Sequence, residues 1–107
     1  MKKIIALVVG AVILIASSIT LVSKENVKDG YLLVGPKNDG GWSMRHEQGF
    51  QSLTKYGYKV SGIEMAPEAE AAKLLGKLAR KNDIVFATSF GYMDGMAKAA
   101  KKHPDTI

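Results

Sequence analysis

Tyr31-Leu32-Leu33-Val34-Gly35, closed by Pro36, decides the fold. It is a short, uninterrupted apolar run with a glycine–proline stop. Such a run suits a strand covered on both faces, as in a parallel sheet, rather than one that alternates between core and water. Two further segments have the same character. Tyr58 to Met65 reads as a second strand, and Ile84-Val85-Phe86-Ala87 as a third.

Between these strands the period changes to that of a helix. Trp42, His46, Phe50, Leu53 and Tyr56 or Gly57 fall on one face, with Arg45, Glu47, Gln51 and Lys55 largely on the other. Gly57 is placed to end that helix in a left-handed conformation. Pro67 sits where a first-turn proline would, followed by Glu68 and Glu70 at the positive end of a helix dipole. Ala71, Leu74, Leu75 and Leu78 form the apolar stripe of this second helix. A third helix is expected from about Tyr92 to Lys102, burying Met93, Met96, Ala97 and Ala100, with Pro104 stopping it. Asp105-Thr106-Ile107 reads as the approach to a fourth strand. The order β-α-β-α-β-α is that of a doubly wound parallel sheet of the α/β class, here incomplete.

Upstream, Lys2-Lys3 precedes an uncharged apolar run from Ile4 to Val22. Residues 1–23 are therefore expected to be a signal peptide, with Ala16-Ser17-Ser18 offering small residues for cleavage. The alternative is a signal anchor, a single apolar helix of about the 20 residues needed to cross the hydrocarbon core. In either case the lysines keep the N-terminus cytoplasmic and send the rest outward. Residues 24–30 read as a linker, and residues 31–107 as the folded body.

The formal net charge is +5, of which Lys2 and Lys3 carry two, leaving +3 for the rest. No arginine-rich stripe with interleaved aromatics is present, so no nucleic-acid partner is expected. The absence of cysteine excludes disulfides, thiolate metal ligands and thiol nucleophiles. His46 and His103 share no carboxylate spacing that would make a metal site. No Ser-His-Asp arrangement or paired carboxylates can be argued, so neither catalytic residues nor cofactors are expected.

In an open parallel sheet, ligands bind outside the carboxyl ends of the strands, where strand order reverses. With the first and third strands adjacent, the loops after them would flank one crevice. The first loop runs into Asn38-Asp39-Gly40-Gly41-Trp42-Ser43. Its glycines allow close approach of a ligand, Asp39 offers an acceptor, and Trp42 a flat face for a heteroaromatic base. An equally open reading has Asp39 or Ser43 capping the helix and Trp42 packing its first turn. The second cluster is Thr88-Ser89-Phe90-Gly91-Tyr92-Met93-Asp94. Here Phe90 would form another wall and Ser89 or Asp94 a polar contact, unless Thr88 or Ser89 caps the helix and Phe90 enters the core. His46 reads as a structural residue on the inward side of the first helix. The glycine spacing fits neither a Walker A loop nor a Rossmann fingerprint.

Val34 to Trp42, then His46-Glu47-Gln48-Gly49, resembles the opening of receptors of the basic membrane protein family. So does Ile84 to Asp94, with Ala99 to Asp105 behind it. The resemblance covers about Tyr31 to Ile107, and the Gly-Gly-Trp and Thr-Ser-Phe-Gly-Tyr-Met forms look most like the branch that binds purine bases. It implies a fold like that of type 1 periplasmic binding proteins, whose two α/β lobes close on a ligand for an ABC importer. It further implies that Trp42 stacks on a purine base or nucleoside, with Asp39 and Asp94 as polar contacts and Phe90 shaping the pocket. The expected partners are that ligand, an ABC permease and, through the N-terminal helix, the membrane. The expected location is the outer face of the membrane or, after cleavage, the periplasm or medium. Many such receptors are lipoproteins whose leader ends in cysteine, and this chain has none. Only about half of one lobe follows the linker, so a truncated receptor is the expectation. The competing expectation is a standalone membrane-anchored α/β interaction or regulatory module whose missing strands come from a partner.

Overall fold

A computed structural model of the chain describes residues 26–107; the leader expected over 1–23 and the first part of the linker lie outside the described residues. Three strands, β1 (Lys28–Leu32), β2 (Lys59–Ile63) and β3 (Ile84–Ala87), alternate with three helices, α1 (Trp42–Ser52), α2 (Ala71–Ala79) and α3 (Met93–Lys102). The strands form one parallel sheet in the order β2-β1-β3. The fold is the α/β doubly wound arrangement read from the sequence, and strand order reverses at β1.

Being central, β1 is covered on both faces, and Tyr31, Leu32 and Leu33 are almost wholly buried. Leu32 faces α2 and α3, in a core with Ala66, Ala71, Leu75, Leu78, Tyr92 and Ala99. Each fully buried leucine there contributes about 1.5–3 kcal/mol relative to exposure. Tyr31 points to the opposite face, where its ring stacks on Phe50 of α1 at 4.0 Å, with Phe86 of β3 tilted beyond it.

The first strand starts earlier than the apolar run suggested. Its pairing begins at Lys28, opposite Lys59, inside the segment read as a 24–30 linker. The polar look of Lys28-Asp29-Gly30 misled for a specific reason. Lys28 is exposed at the end of the sheet, whereas Asp29 and Gly30 are buried. Gly30 lies beneath α2, where a Cβ would sit 2.7 Å from Asn82 Nδ2 and 3.3 Å from Leu78 Cβ. Backbone pairing and close packing made this strand, not side-chain hydrophobicity. At its other end the regular ladder stops at Leu32, with one further bond from Leu33 N–H to Ile63 O at 2.9 Å.

The α2 stripe is as expected: Ala71, Leu75 and Leu78 are buried and Leu74 packs against them. A 3₁₀ turn over Glu68–Glu70 separates Pro67 from the start of that helix. Gly57, with φ of 85°, ends the helical stretch after α1. The face of α3 is rotated from the expected one. Ala99 is buried and Met96 packs on the core, while Met93, Ala97 and Ala100 are exposed. The cause is Gly95, one turn before Ala99. A Cβ there would lie 2.6 Å from Ala71 Cβ and 2.8 Å from Ala72 N, so the two helices meet backbone to backbone through small residues. Ranking by hydrophobicity favoured the methionines over the glycine that makes the contact.

On α1, Phe50 packs on the sheet as expected, but Trp42 and Tyr56 are 61% and 76% exposed. The residue buried most deeply is Ser43, whose Oγ accepts the Gly35 N–H at 2.9 Å. At the far end, Ile107 N–H donates to Asp83 O at 3.0 Å and Ile107 O accepts from Val85 N–H at 2.8 Å. That is the bond pattern of parallel pairing beside Ile84, but the described residues form no fourth strand, and the sheet has three.

Candidate functional site

Loops from the carboxyl ends of β1 and β3 flank one open cleft of about 710 Å³. Trp42, His46, Ala87, Thr88, Ser89, Phe90, Tyr92, Met93, Met96 and Ala97 line it. The adjacency of β1 and β3 brings the two loops together, as the strand order required.

The first loop is built to present Trp42. The Pro36 carbonyl accepts the Asp39 N–H at 3.1 Å, and Gly40 takes a left-handed φ of 75°. Asp39 then turns its carboxylate onto the start of α1. Oδ1 accepts from Gly41 N–H at 2.8 Å and Met44 N–H at 3.0 Å, and Oδ2 from Ser43 N–H at 3.1 Å. Those backbone donors, Gly41 first and then Met44, hold its carboxyl below the usual range. Asp39 thus serves as the helix cap and does not line the cleft. The indole itself is pinned, because Nε1–H donates to Thr88 O at 2.8 Å across the crevice. Thr88 in turn donates from Oγ1 to Leu32 O at 2.6 Å, tying the carboxyl ends of β3 and β1 together.

Phe90 occupies a 3₁₀ turn over Phe90–Tyr92, where Ser89 Oγ accepts the Gly91 N–H at 3.2 Å. It is 86% exposed and stands free at the cleft, not in the core. Tyr92, two residues on, is the core residue, and its hydroxyl donates to Ala66 O at 2.6 Å. The structure therefore brings Trp42 and Phe90 to one cleft. Asp94 lies in the first turn of α3, exposed and outside the cleft lining.

His46 belongs to the lining, although its sequence position suggested only a structural part. Its ring lies 4.6 Å from the Trp42 indole, tilted by 46°, and Nδ1 is 2.8 Å from Trp42 O. The signal available was its spacing of one helical turn from Trp42, which places both on one side of α1. Met93, expected in the core, is exposed and lines the cleft, while Met96 packs on the core as expected and also reaches the lining.

A smaller polar hollow of about 170 Å³ lies on the β2 side, lined in part by Tyr31, Lys37, Glu47, Gln51 and Glu64. Tyr31 Oη donates to Glu47 Oε2 at 2.6 Å. Burial, reinforced by that carboxylate, pushes the phenol well above its ordinary value. Among the described residues no group of three His, Cys, Asp or Glu side chains could hold a metal ion.

No protein-family model matches the chain. It is 39% identical over 88 residues to a purine-binding protein of Brucella abortus, covering 78% of this chain and 25% of that protein. It is 28% identical over 86 residues to a putative ABC transporter glucose-binding protein of Haloferax volcanii, covering 78% of this chain and 22% of the other. Among solved structures it is similar to an ABC transporter solute-binding protein from Conexibacter woesei, with a TM-score of 0.70 at 21% identity over 75% of this chain and 27% of that one. A second, from Aeropyrum pernix, gives a TM-score of 0.62 at 18% identity over 75% of this chain and 23% of its own. The resemblance to ABC-transporter solute-binding proteins drawn from the loop motifs is thus borne out, and the structural matches show the shared fold. The chain spans about a quarter of the length of the curated relatives it matches.

Proposed function

We propose that this chain is the opening part of an extracytoplasmic solute-binding protein for a purine base or nucleoside, serving an ABC importer. One observation carries the reading: Trp42 and Phe90, both exposed aromatic residues, line a single cleft at the strand-order reversal, and the indole is held there by Thr88. An exposed tryptophan costs hydration of apolar surface, and one fixed in orientation is suited to stacking on a flat ligand. Among the described residues no Asp, Glu, Lys or Arg lines the cleft, which favours a neutral base over a nucleotide phosphate. The name and identity of the Brucella abortus relative support the purine class. The permease partner and the outward location follow from this role. None of the described helices is long and apolar enough to cross a membrane, so attachment would rest on residues 1–23.

Trp42 is the single tryptophan, so its indole N–H gives one unambiguous NMR signal. Adenine or a purine nucleoside should shift that signal in a saturable way, while glucose should not. Phe90→Ala should weaken the interaction by about 1–3 kcal/mol, the usual cost of losing one stacked aromatic. A saturable response to glucose without one to purines would move the site to the sugar class.

A further inference from the structure

The cleft is mostly apolar, so the few polar atoms in it decide which ligands it accepts. Most of those atoms are already committed. Thr88 Oγ1 donates to Leu32 O, and Thr88 O accepts the Trp42 indole N–H. Tyr92 Oη donates to Ala66 O. Ser89 Oγ accepts the Gly91 N–H, leaving its own O–H free to donate.

His46 differs from these. Its Nδ1 lies 2.8 Å from Trp42 O, and a carbonyl can only accept, so in the neutral ring Nδ1 carries the hydrogen. Nε2 is then a lone-pair acceptor on the opposite side of the ring, turned away from its own helix. It has no hydrogen-bond partner among the described residues. The ring stands 4.6 Å from the indole, within reach of the edge of anything stacked on Trp42.

We propose that His46 Nε2 accepts a hydrogen bond from an N–H on the edge of the planar ligand, and so sets which heterocycles the cleft takes. An analogue that cannot donate leaves this acceptor to water alone, so it binds more weakly by about the worth of one hydrogen bond. The proposal rests on the planar-ligand reading of the cleft and adds the specificity residue to it. Ser89 complements it as the hydroxyl donor, so a ligand edge with both a donor and an acceptor would fit.

The test compares adenine with N6,N6-dimethyladenine and 9-methyladenine, each of which loses one kind of N–H. Binding to the full chain and to His46→Phe would be followed by the Trp42 indole signal. Phenylalanine keeps the bulk of the imidazole, so any penalty due to crowding by the methyl groups persists in the variant. A penalty due to a lost hydrogen bond does not. In the wild type, one of the two analogues should bind about tenfold more weakly than adenine, and in His46→Phe that ratio should fall toward one. Should His46→Phe fail to fold, His46→Leu gives the same comparison. Ratios left unchanged by removing the imidazole would overturn the proposal, and so would wild-type protein that binds all three equally; in both cases the stacking cleft still stands. If no planar heterocycle binds at all, the cleft reading fails and this one with it.

Discussion

At the scale of single residues, the most consequential surprise is Asp29. Its side chain is buried near the start of β1, and Oδ1 has no hydrogen-bond partner. Burial raises its pKa from the ordinary carboxylate value, since the charged form loses water there. The native state therefore holds this proton more tightly than the unfolded chain does. Its stabilising contribution is full below about pH 4, the unfolded value, and is lost as pH rises through the higher folded value. Asp29→Asn should remove that dependence and, at neutral pH, raise stability by on the order of 1 kcal/mol. Urea denaturation of both proteins at acidic and neutral pH would check this; a gain that is equal at both would argue against an ionisation origin. Nothing in the sequence marks Asp29 as buried, because a polar triplet before an apolar run reads as a linker. Asp39 was more legible. Its place before a helix allowed either a ligand contact or a cap, and its three backbone donors make it the cap.

At the scale of elements, the glycines show why periodicity alone reads helices incompletely. Gly49 in α1 has open space where a Cβ would go, whereas Gly95 in α3 meets Ala71 and the backbone of Ala72. The same substitution should therefore have opposite signs. Gly49→Ala should stabilise by about 0.5–1 kcal/mol, because alanine loses less backbone entropy in a helix. Gly95→Ala should destabilise by about 1–3 kcal/mol, because α3 must move off α2 to admit the methyl group. Thermal melts of the two variants would settle it, and a stabilised Gly95→Ala would mean that the helices are not in close contact there. This pair also locates what sequence could and could not supply. The order of strands and helices was legible, since it depends on runs and periods within one segment. The phase of α3 was not, because it depends on which small residue meets a neighbour from another segment. The start of β1 was hidden for the same reason, its pairing being decided by β2 and β3.

At the scale of the whole molecule, the cleft is a surface with one side. Its aromatic walls, Trp42 and Phe90, come from two loops of the same sheet end, and both remain largely exposed at 61% and 86%. Ligand sites that bind tightly enclose most of a ligand's surface, whereas stacking on an open wall covers chiefly one face. One stacked base contributes about 1–3 kcal/mol, and one hydrogen bond to His46 about 0.5–1.5 kcal/mol. Together these give about 1.5–4.5 kcal/mol, so only at the upper end do they reach the roughly 4 kcal/mol of millimolar binding, before the cost of immobilising the ligand. The described fold should therefore bind adenine no more tightly than about millimolar. A solute-binding protein that closes a second lobe over the other face should gain several orders of magnitude. Calorimetry and the indole NMR titration address different parts of this expectation. Calorimetry should detect no strong heat at micromolar concentrations, while the indole signal should move only at high ligand. Micromolar affinity in this chain would mean that a second wall exists beyond Trp42 and Phe90, formed by a partner copy or by residues outside the described fold. Sedimentation in the presence of ligand would then tell these apart, since a partner copy would double the mass and an internal wall would not.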